Sequence, residues 1–592
     1  MDATLIDAHM PRRFRALDGR VVRITAIAIA LALVMGGVAQ LLTALIGLVT
    51  NLAYYGRLST ELTSPAHNTL GLWAIGVPVI GGLVVGVMAR YGSRAIRGHG
   101  IPEAMEQVLL NDSRIPPIIT WLKPASSAVA IGTGGPFGAE GPIIATGGAL
   151  GSLLGQWLHV TADERKTLLA AGAAAGMAAI FATPVAAVLL AIELLLFERR
   201  ARSLIPVALA AMVGAAMHAV FEGTAPVFPM PALPAVVPAA LVAYVLMGAL
   251  VGVASVAITR LTYGIEDAFE KLPIHWMWWP VLGGVAIGIG GLIEPAALGV
   301  GYDSIRALLA GQLPPGDVLR LLVVKALIWS IALGSGTSGG VLAPLLIMGG
   351  ALGALEGTVL PGGSGAWALL GMAAMMGGTM RSPLTAAVFA VELTGNLAML
   401  PALLAACIAA YAVTVLLLKR SILTEKIARR GHHILREYIV DPFELTRVGD
   451  VMVAGVDTLP AAMPVDDAVA FFTDESGGPR HKSYPVVDAA GRPIGMVARA
   501  DVLRWMVSGW PRGTSLADAV SGGPLVLGHP DEMVGRVADR MAEGDAGRVP
   551  VTRREDGVLV GILARKDLLR VRAKLRREEI DRARLLRRGE AG

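Results

Sequence analysis

Residues 182–194 read ATPVAAVLLAIEL, and residues 381–393 read RSPLTAAVFAVEL. Aligned with one displacement, Pro184 falls on Pro383, Ala187 on Ala386, Ala191 on Ala390, Glu193 on Glu392 and Leu194 on Leu393. The same displacement carries Gly135 onto Gly334 and Gly141 onto Gly340, so the Gly-rich segments ahead of the two helices are expected to correspond as well. A chance match of two Ala-rich helices would rarely keep both the helix and its distance from what precedes it. The chain therefore reads as two similar halves. Repeated halves with helices interrupted by Gly and Pro in matching places point to a binding site near the middle of a membrane. Hydropathy alone does not say whether the halves are inverted.

Working outward, the composition makes lipid the main solvent. Of 592 residues, 54% are hydrophobic and 16% charged, against about 25% charged in an average soluble domain. The mean hydropathy is +0.62. Apolar stretches recur up to Leu418, among them Ile24 to Thr50, Gly71 to Met88, Leu168 to Phe197, Pro234 to Ile258, Val281 to Leu292, Leu321 to Leu333 and Pro383 to Leu418. Several are longer or shorter than the roughly 20 residues of an upright span, which predicts tilted helices and helices that stop midway. Arg12, Arg13, Arg15, Arg20 and Arg23 precede the first stretch. That stretch is too long for a signal-peptide core, so a retained first span with a cytoplasmic N-terminus is expected. The 72 glycines sit inside apolar segments, as suits helices whose backbones approach closely. Pro226, Pro229, Pro231, Pro234 and Pro238 read as a connector between the halves, and Trp276, Trp278 and Trp279 as an interfacial aromatic belt. The net charge of +5 is modest, and the basic clusters flank spans or lie in the tail, which argues against nucleic acid as a partner. The single cysteine, Cys407, excludes an intramolecular disulfide framework.

After Leu418 the composition turns charged, and a soluble region with its own repeat follows. SYPVVDAAGRPIGMVARADVL matches RVPVTRREDGVLVGILARKDLL: a short strand, a turn, a second strand, then a helix opening near Asp501 or Asp567. The expected layout is a cytoplasmic N-terminus at 1–21 and a transmembrane pore at 22–420 with repeats at 22–222 and 234–420. A linker at 421–445, soluble units at 446–510 and 511–575, and a basic tail at 576–592 complete it.

Three stretches break the apolar pattern inside the membrane region: Gly98 to Glu103 (GHGIPE), Gly134 to Pro142 (GGPFGAEGP) and Gly334 to Pro344 (GSGTSGGVLAP). Gly permits tight turns, and Pro is tolerated in the first turn of a helix. Each stretch reads as a helix N-terminus exposed at membrane depth, whose free N–H groups and positive dipole end attract an anion without a full charge. A lysine there would hold the ion too tightly for rapid passage. Glu140 stands out, because a carboxylate at this depth costs roughly 2.5–3.5 kcal/mol on insertion scales. At a helix N-terminus it would compete with an anion for the same donors and leave when protonated, which makes it a gate. The plainer reading is a helix-start Glu satisfied where it stands. His99 either donates a hydrogen bond to the anion, or carries charge below its ordinary pKa of about 6.5, or turns into a protein hydrogen bond.

GxGIPE, GxEGP and GGxxxP in this order, followed by a soluble tandem repeat, resemble the CLC family of chloride channels and proton-coupled chloride antiporters. The resemblance covers roughly residues 22 to 425, and the soluble part resembles a pair of CBS domains. It implies a polytopic α-helical membrane protein with inverted repeats and broken helices, joined to a soluble α/β tandem CBS module. It also implies a homodimer with one pore per subunit, and Glu140 as the external gating glutamate. The implied anion ligands are His99, Gly100 and Ile101, the backbone N–H groups near Phe137 and Gly138, those of Val341 and Leu342, and Leu423 in place of the usual Tyr. The sequence departs from the family at several of these places. His99 replaces a Ser, Ala139 a basic residue, Leu342 an aromatic, and Leu194 stands where antiporters carry an internal glutamate.

The expected function is chloride transport through a glutamate-gated pore, acting as a passive channel. A proton-coupled chloride antiporter is the alternative, with Glu193 serving protons from a shifted position. Fluoride, nitrate and bromide stay open as anions. No cofactor is required. An adenosine nucleotide at the CBS pair would use Asp501 and Asp567, although the usual hydroxyl positions are Ala498 and Ala564. A CBS-linked divalent-cation transporter would need clustered oxygen ligands, and Glu140, Glu193 and Glu392 are too few and scattered. Enzyme motifs with phosphate-loop, HExxH or GxSxG spacing are missing. The Arg- and Ala-rich composition fits a bacterial inner membrane, with the N-terminus and the CBS pair in the cytoplasm.

Overall fold

Apolar composition favours helix throughout the first 430 residues, and Gly and Pro decide where each helix stops. The computed structural model describes residues 19–158, 160–231, 240–430, 443, 446–473, 481–510, 513–520 and 525–571. Arg12, Arg13, Arg15, Pro234, Pro238, most of the linker and the basic tail lie outside the described residues. The chain divides into a unit of residues 1–435 and a second of residues 436–592.

The first half of the membrane unit runs α1 (Gly19–Tyr55), α2 (Gly76–Tyr91), α3 (Ile101–Leu110), α4 (Ile119–Gly132), α5 (Glu140–Trp157), α6 (Ala162–Phe181), α7 (Pro184–Leu190, extended by a π-helical turn, Ala191–Leu196) and α8 (Ala201–Glu222). The second half repeats the series as α9 (Leu241–Glu270), α10 (Trp279–Ile293), α11 (Tyr302–Leu309), α12 (Pro315–Gly334), α13 (Leu342–Glu356), α14 (Ser364–Met380), α15 (Pro383–Thr394) and α16 (Leu400–Leu417). A short α17 (Ile422–Arg429) closes the unit. Among the described residues, six helical segments are long and apolar enough to cross a membrane.

Two apolar stretches do not form single spans. Leu168 to Phe197 breaks at Ala182, which turns left-handed (φ 53°) two residues before Pro184. Pro383 to Leu418 breaks at Gly395 (φ 75°), between α15 and α16. Hydropathy is blind to both, because neither break changes the apolar character of the run.

The single displacement also needs correcting. It holds for α7 and α15, but α5 and α13 correspond through Gly138 and Gly340, Glu140 and Leu342, and Pro142 and Pro344. The reason lies in the connection to the next helix. Gly155 abuts Arg165 in the first half, and Gly357 abuts Ser364 in the second, so the second half turns the corner with fewer residues.

The halves are inverted. Val185 and Ala186, at the start of α7, donate their N–H groups to the Glu392 carboxylate near the end of α15, at 3.0 and 2.8 Å. Thr385, at the start of α15, donates its N–H to Glu193 just past the end of α7, at 3.1 Å. Each helix start is thus capped by the far end of its repeat-mate, which requires the two to run antiparallel about a two-fold axis. α2 and α10 obey the same axis: a Cβ on Gly82 would meet the Pro280 carbonyl at 2.2 Å, and one on Gly284 the Pro78 carbonyl at 2.4 Å. A side chain at either glycine would push the helices apart.

In the second unit, β1 (Leu459–Pro460) pairs parallel with β2 (Ser483–Val487), which pairs antiparallel with β3 (Pro493–Ala498). The other copy has β4 (Arg548–Thr552) antiparallel to β5 (Leu559–Ala564), with a single parallel bridge from Gly528 to Val551 standing where β1 would. Helices α18 (Val465–Thr473), α19 (Arg499–Ser508), α20 (Leu516–Val520) and α21 (Val534–Glu543) flank these sheets. Each copy has its own core, one around Val465, Phe472, Tyr484 and Val497, the other around Val448, Val534, Val549 and Leu563.

Candidate functional site

Four breaks in the helical pattern meet inside the membrane unit, two from each half. Gly98 donates its N–H to the Thr337 carbonyl at 3.3 Å, and Gly339 donates to Gly98 at 3.4 Å. Gly138 and Gly340 exchange hydrogen bonds of 3.4 and 3.0 Å, and Gly299 donates to Gly134 at 3.1 Å. The Ser127 and Ser338 hydroxyls share a bond of 2.9 Å. Backbone that lipid would leave unpaired is thus paired within the protein. The helix starts that follow these breaks, α3, α5 and α13, are brought together: a Cβ on Gly141 would lie 2.3 Å from the His99 carbonyl and 2.9 Å from the Gly340 Cα.

The glycines of the first break, Gly98 (φ 93°) and Gly100 (φ 89°), have counterparts in Gly299 (φ 61°) and Gly301 (φ 79°) before α11. Only glycine takes such backbone at little cost. This fourth break escaped sequence reading because GVGYDS keeps only the glycines of GHGIPE.

Two buried lysines brace the breaks. Lys123 on α4 donates to the carbonyls of Ile96 (2.8 Å) and Gly98 (2.6 Å). Lys325 on α12 donates to the carbonyls of Ala297 (2.9 Å) and Gly299 (3.1 Å). Both are fully buried repeat-mates. Each ammonium is occupied by carbonyls, which leaves a diffuse positive field rather than a tight binding point. The signal was a lone Lys in matching apolar runs of the two halves.

Glu140 opens α5 and is fully buried. Neither carboxylate oxygen has a hydrogen-bond partner among the described residues. The group folds back over the Gly138–Gly340 bridge: a Cβ on Gly138 would fall 1.6 Å from Oε2, and one on Gly340 3.0 Å from it. The backbone N–H of Ala343, in the first turn of α13, faces the carboxylate, and Lys325 acts on it electrostatically. The Glu140 carboxyl group therefore occupies a seat lined by two helix starts and held open by two glycines.

The other predicted ligands fall as follows. His99 is buried, and its Nδ1 has no hydrogen-bond partner among the described residues. Gly100 donates its N–H to the Glu103 carboxylate at 2.8 Å. Ile101, Phe137, Val341 and Leu342 are buried in the common core, with Phe137 packed on Gly339. Leu423 is buried on α17. That helix is tied to α3 by Lys426 on Glu103 (2.9 Å) and by Arg430 on Glu103 (3.3 Å) and Glu106. Glu193 lies apart, capping α15, and also bonds the Thr385 hydroxyl. Leu194 is buried. Trp276 and Trp279 stack on Arg97, at 4.9 and 5.4 Å, beyond any belt role. In the soluble unit, Asp501 accepts the Ala498 N–H and Asp567 that of Ala564, both at 2.9 Å. Arg504 and Arg570 pair with them at 3.2 Å.

A family profile described as voltage gated chloride channel matches residues 81–415, and a CBS domain profile matches 448–508 and 524–574. The H(+)/Cl(-) exchange transporter ClcA of Cronobacter sakazakii is 30% identical over 53% of this chain and 70% of its own length. A slow cyanobacterial Cl−/H+ antiporter superposes with a TM-score of 0.62 at 22% identity, over 70% of this chain and 98% of that one. A eukaryotic CLC transporter superposes with a TM-score of 0.58 at 19% identity, over 93% of this chain and 98% of that one.

Proposed function

The chain belongs to the voltage-gated chloride channel family, a multi-pass membrane protein with CBS domains at its C-terminal end, and from that premise we propose that it exchanges chloride for protons through Glu140. The observation that carries this reading is the seat of Glu140, a buried carboxyl group with no hydrogen-bond partner among the described residues, in the place suited to an anion. Ionised, it blocks the seat as a tethered anion. Protonated, it loses its attraction to the helix starts and yields the seat, so each anion that enters is linked to one proton taken up. The exchange named for the Cronobacter relative favours coupling.

Passive conduction is the second reading, and Leu194 favours it. The neighbouring Glu193 is tied to Thr385, which leaves no free carboxylate beside Leu194 to pass a proton inward. The anion-facing groups in either reading are His99, Gly100, Ile101, Phe137, Gly138, Val341, Leu342 and Leu423. We place the protein in a bacterial inner membrane as a homodimer, with both the N-terminus and the CBS pair in the cytoplasm. An adenosine nucleotide at Asp501 and Asp567 would have to displace the backbone and Arg contacts these carboxylates already make. Calorimetric titration with ATP tests that role, and the absence of heat would remove it.

The deciding experiment is chloride efflux from proteoliposomes with external pH recorded together, for wild type and Glu140→Ala. Proton uptake in fixed ratio to chloride, lost in Glu140→Ala, is the expected result. Efflux altered by the mutation but never accompanied by protons would establish the passive reading. No chloride movement in either protein would overturn both.

A further inference from the structure

Tyr302 opens α11 at the fourth break, in the position matching Ile101. Its hydroxyl oxygen is buried and has no hydrogen-bond partner among the described residues. An orphaned hydroxyl is unusual, because burying one without a partner costs free energy. The ring itself is well held, edge-on to Phe228 at 5.5 Å and to Phe181 at 6.2 Å. Packing therefore accounts for the ring and leaves the hydroxyl unexplained.

Tyr302 lines a cavity of about 130 Å3 together with Ala139, the residue before Glu140, and with Val300, Glu222 and Arg306. A second cavity, of about 240 Å3, shares Val300, Tyr302 and Arg306 and extends the space toward Ser64 and Asp303. Glu140 and Glu222 are the acids that act on Tyr302 electrostatically. Glu222 is held by Gln40 at 2.7 Å. Glu140, by contrast, has no hydrogen-bond partner on either oxygen among the described residues. The Tyr302 donor thus lines a small cavity that also reaches Ala139, the chain neighbour of the Glu140 acceptor.

We propose that the Tyr302 hydroxyl is the positioning residue that receives the protonated Glu140 carboxyl group, through its carbonyl oxygen, when it swings out of the anion seat. The released side chain enters the cavity and accepts a hydrogen bond from Tyr302, which holds the seat open while an anion occupies it. This rests on the gate reading of Glu140. It explains why the second half, whose break faces the gate from the other side, carries a hydroxyl where the first half carries Ile101.

The test is a mutant cycle in proteoliposomes with chloride as the transported ion: wild type, Tyr302→Phe, Glu140→Ala and the double variant. Phe keeps the ring and its two aromatic contacts, so the change reports the hydroxyl. Tyr302→Phe should lower chloride efflux about fivefold, the factor expected for one hydrogen bond between neutral groups. In the Glu140→Ala background the same substitution should change efflux by less than about twofold, since there is no carboxyl group to receive. An equal loss in both backgrounds would mean that Tyr302 acts on the anion or on the fold, and would overturn the proposal. So would wild-type efflux in Tyr302→Phe. If Glu140→Ala itself leaves transport unchanged, the gate reading falls, a failure visible without Tyr302.

Discussion

The two halves of the membrane unit share their scaffold down to single ammonium–carbonyl bonds, yet they carry different side chains at the matching breaks. Lys123 and Lys325 brace equivalent breaks, and Gly138 and Gly340 form the two sides of one bridge. Against that likeness, His99 stands opposite Val300, Ile101 opposite Tyr302, and Glu140 opposite Leu342. Backbone and buried charge keep the symmetry because each half needs them to hold a broken helix inside a membrane. The titratable groups His99 and Glu140 escape the symmetry, which makes the matching breaks of the two halves chemically unlike.

The largest effect should come from breaking what is shared. Lys123→Met and Lys325→Met each remove two ammonium–carbonyl hydrogen bonds from the interior, and each should cost about 3 kcal/mol of stability. Thermal unfolding in detergent checks this, and a large inequality between them would mean that only one half bears the load. Next comes the asymmetric pair. Glu140→Gln should remove the acceleration of chloride efflux by external acid, whereas Leu342→Met at the matching position should leave it intact. A loss of acid response in both would mean that the seat, and not the carboxylate, senses pH.

A smaller effect tests the reciprocal caps. Glu193→Gln and Glu392→Gln each weaken the acceptor for a helix start, at about 1 kcal/mol. The two losses should match, and proton movement measured with efflux should survive Glu193→Gln. If coupling disappears there, Glu193 carries protons after all. The smallest effect is expected from His99→Val, which copies the second half onto the first. Removal of one neutral donor should slow chloride efflux about fivefold, and an unchanged rate would turn His99 away from the anion.

Much of this comparison was legible in the sequence, and its gaps have physical causes. The α7 and α15 copies stand out because Pro184, Pro383, Glu193 and Glu392 all keep their spacing. The three Gly/Pro breaks that signal helix starts were likewise visible, as was Glu140, since a carboxylate in an apolar run needs an explanation. The fourth break was not, because its only marks are Gly299 and Gly301. Lys123 and Lys325 passed unnoticed, because composition shows a charge but not the carbonyls it meets. Hydropathy is the same read up or down, so the residues alone did not give the direction of the second half. The family resemblance implied inversion, and the bonds between Glu392 and Ala186, and between Glu193 and Thr385, show it.

Those bonds bear on how such a chain is assembled. Thr183 and Ser382 sit at the N-cap positions of α7 and α15, yet neither side chain caps its own helix. Each half presents a helix start that it does not close itself, and a carboxylate shaped to close an identical one arriving upside down. A half-length chain inserted into a membrane alone would keep both features idle. Two such chains inserted in opposite senses would complete each other, and the single polypeptide amounts to that antiparallel pair made permanent by the connection between α8 and α9. Until α15 enters the bilayer during synthesis, the α7 start lacks its carboxylate, so the first half reaches its final form only after the second has been made.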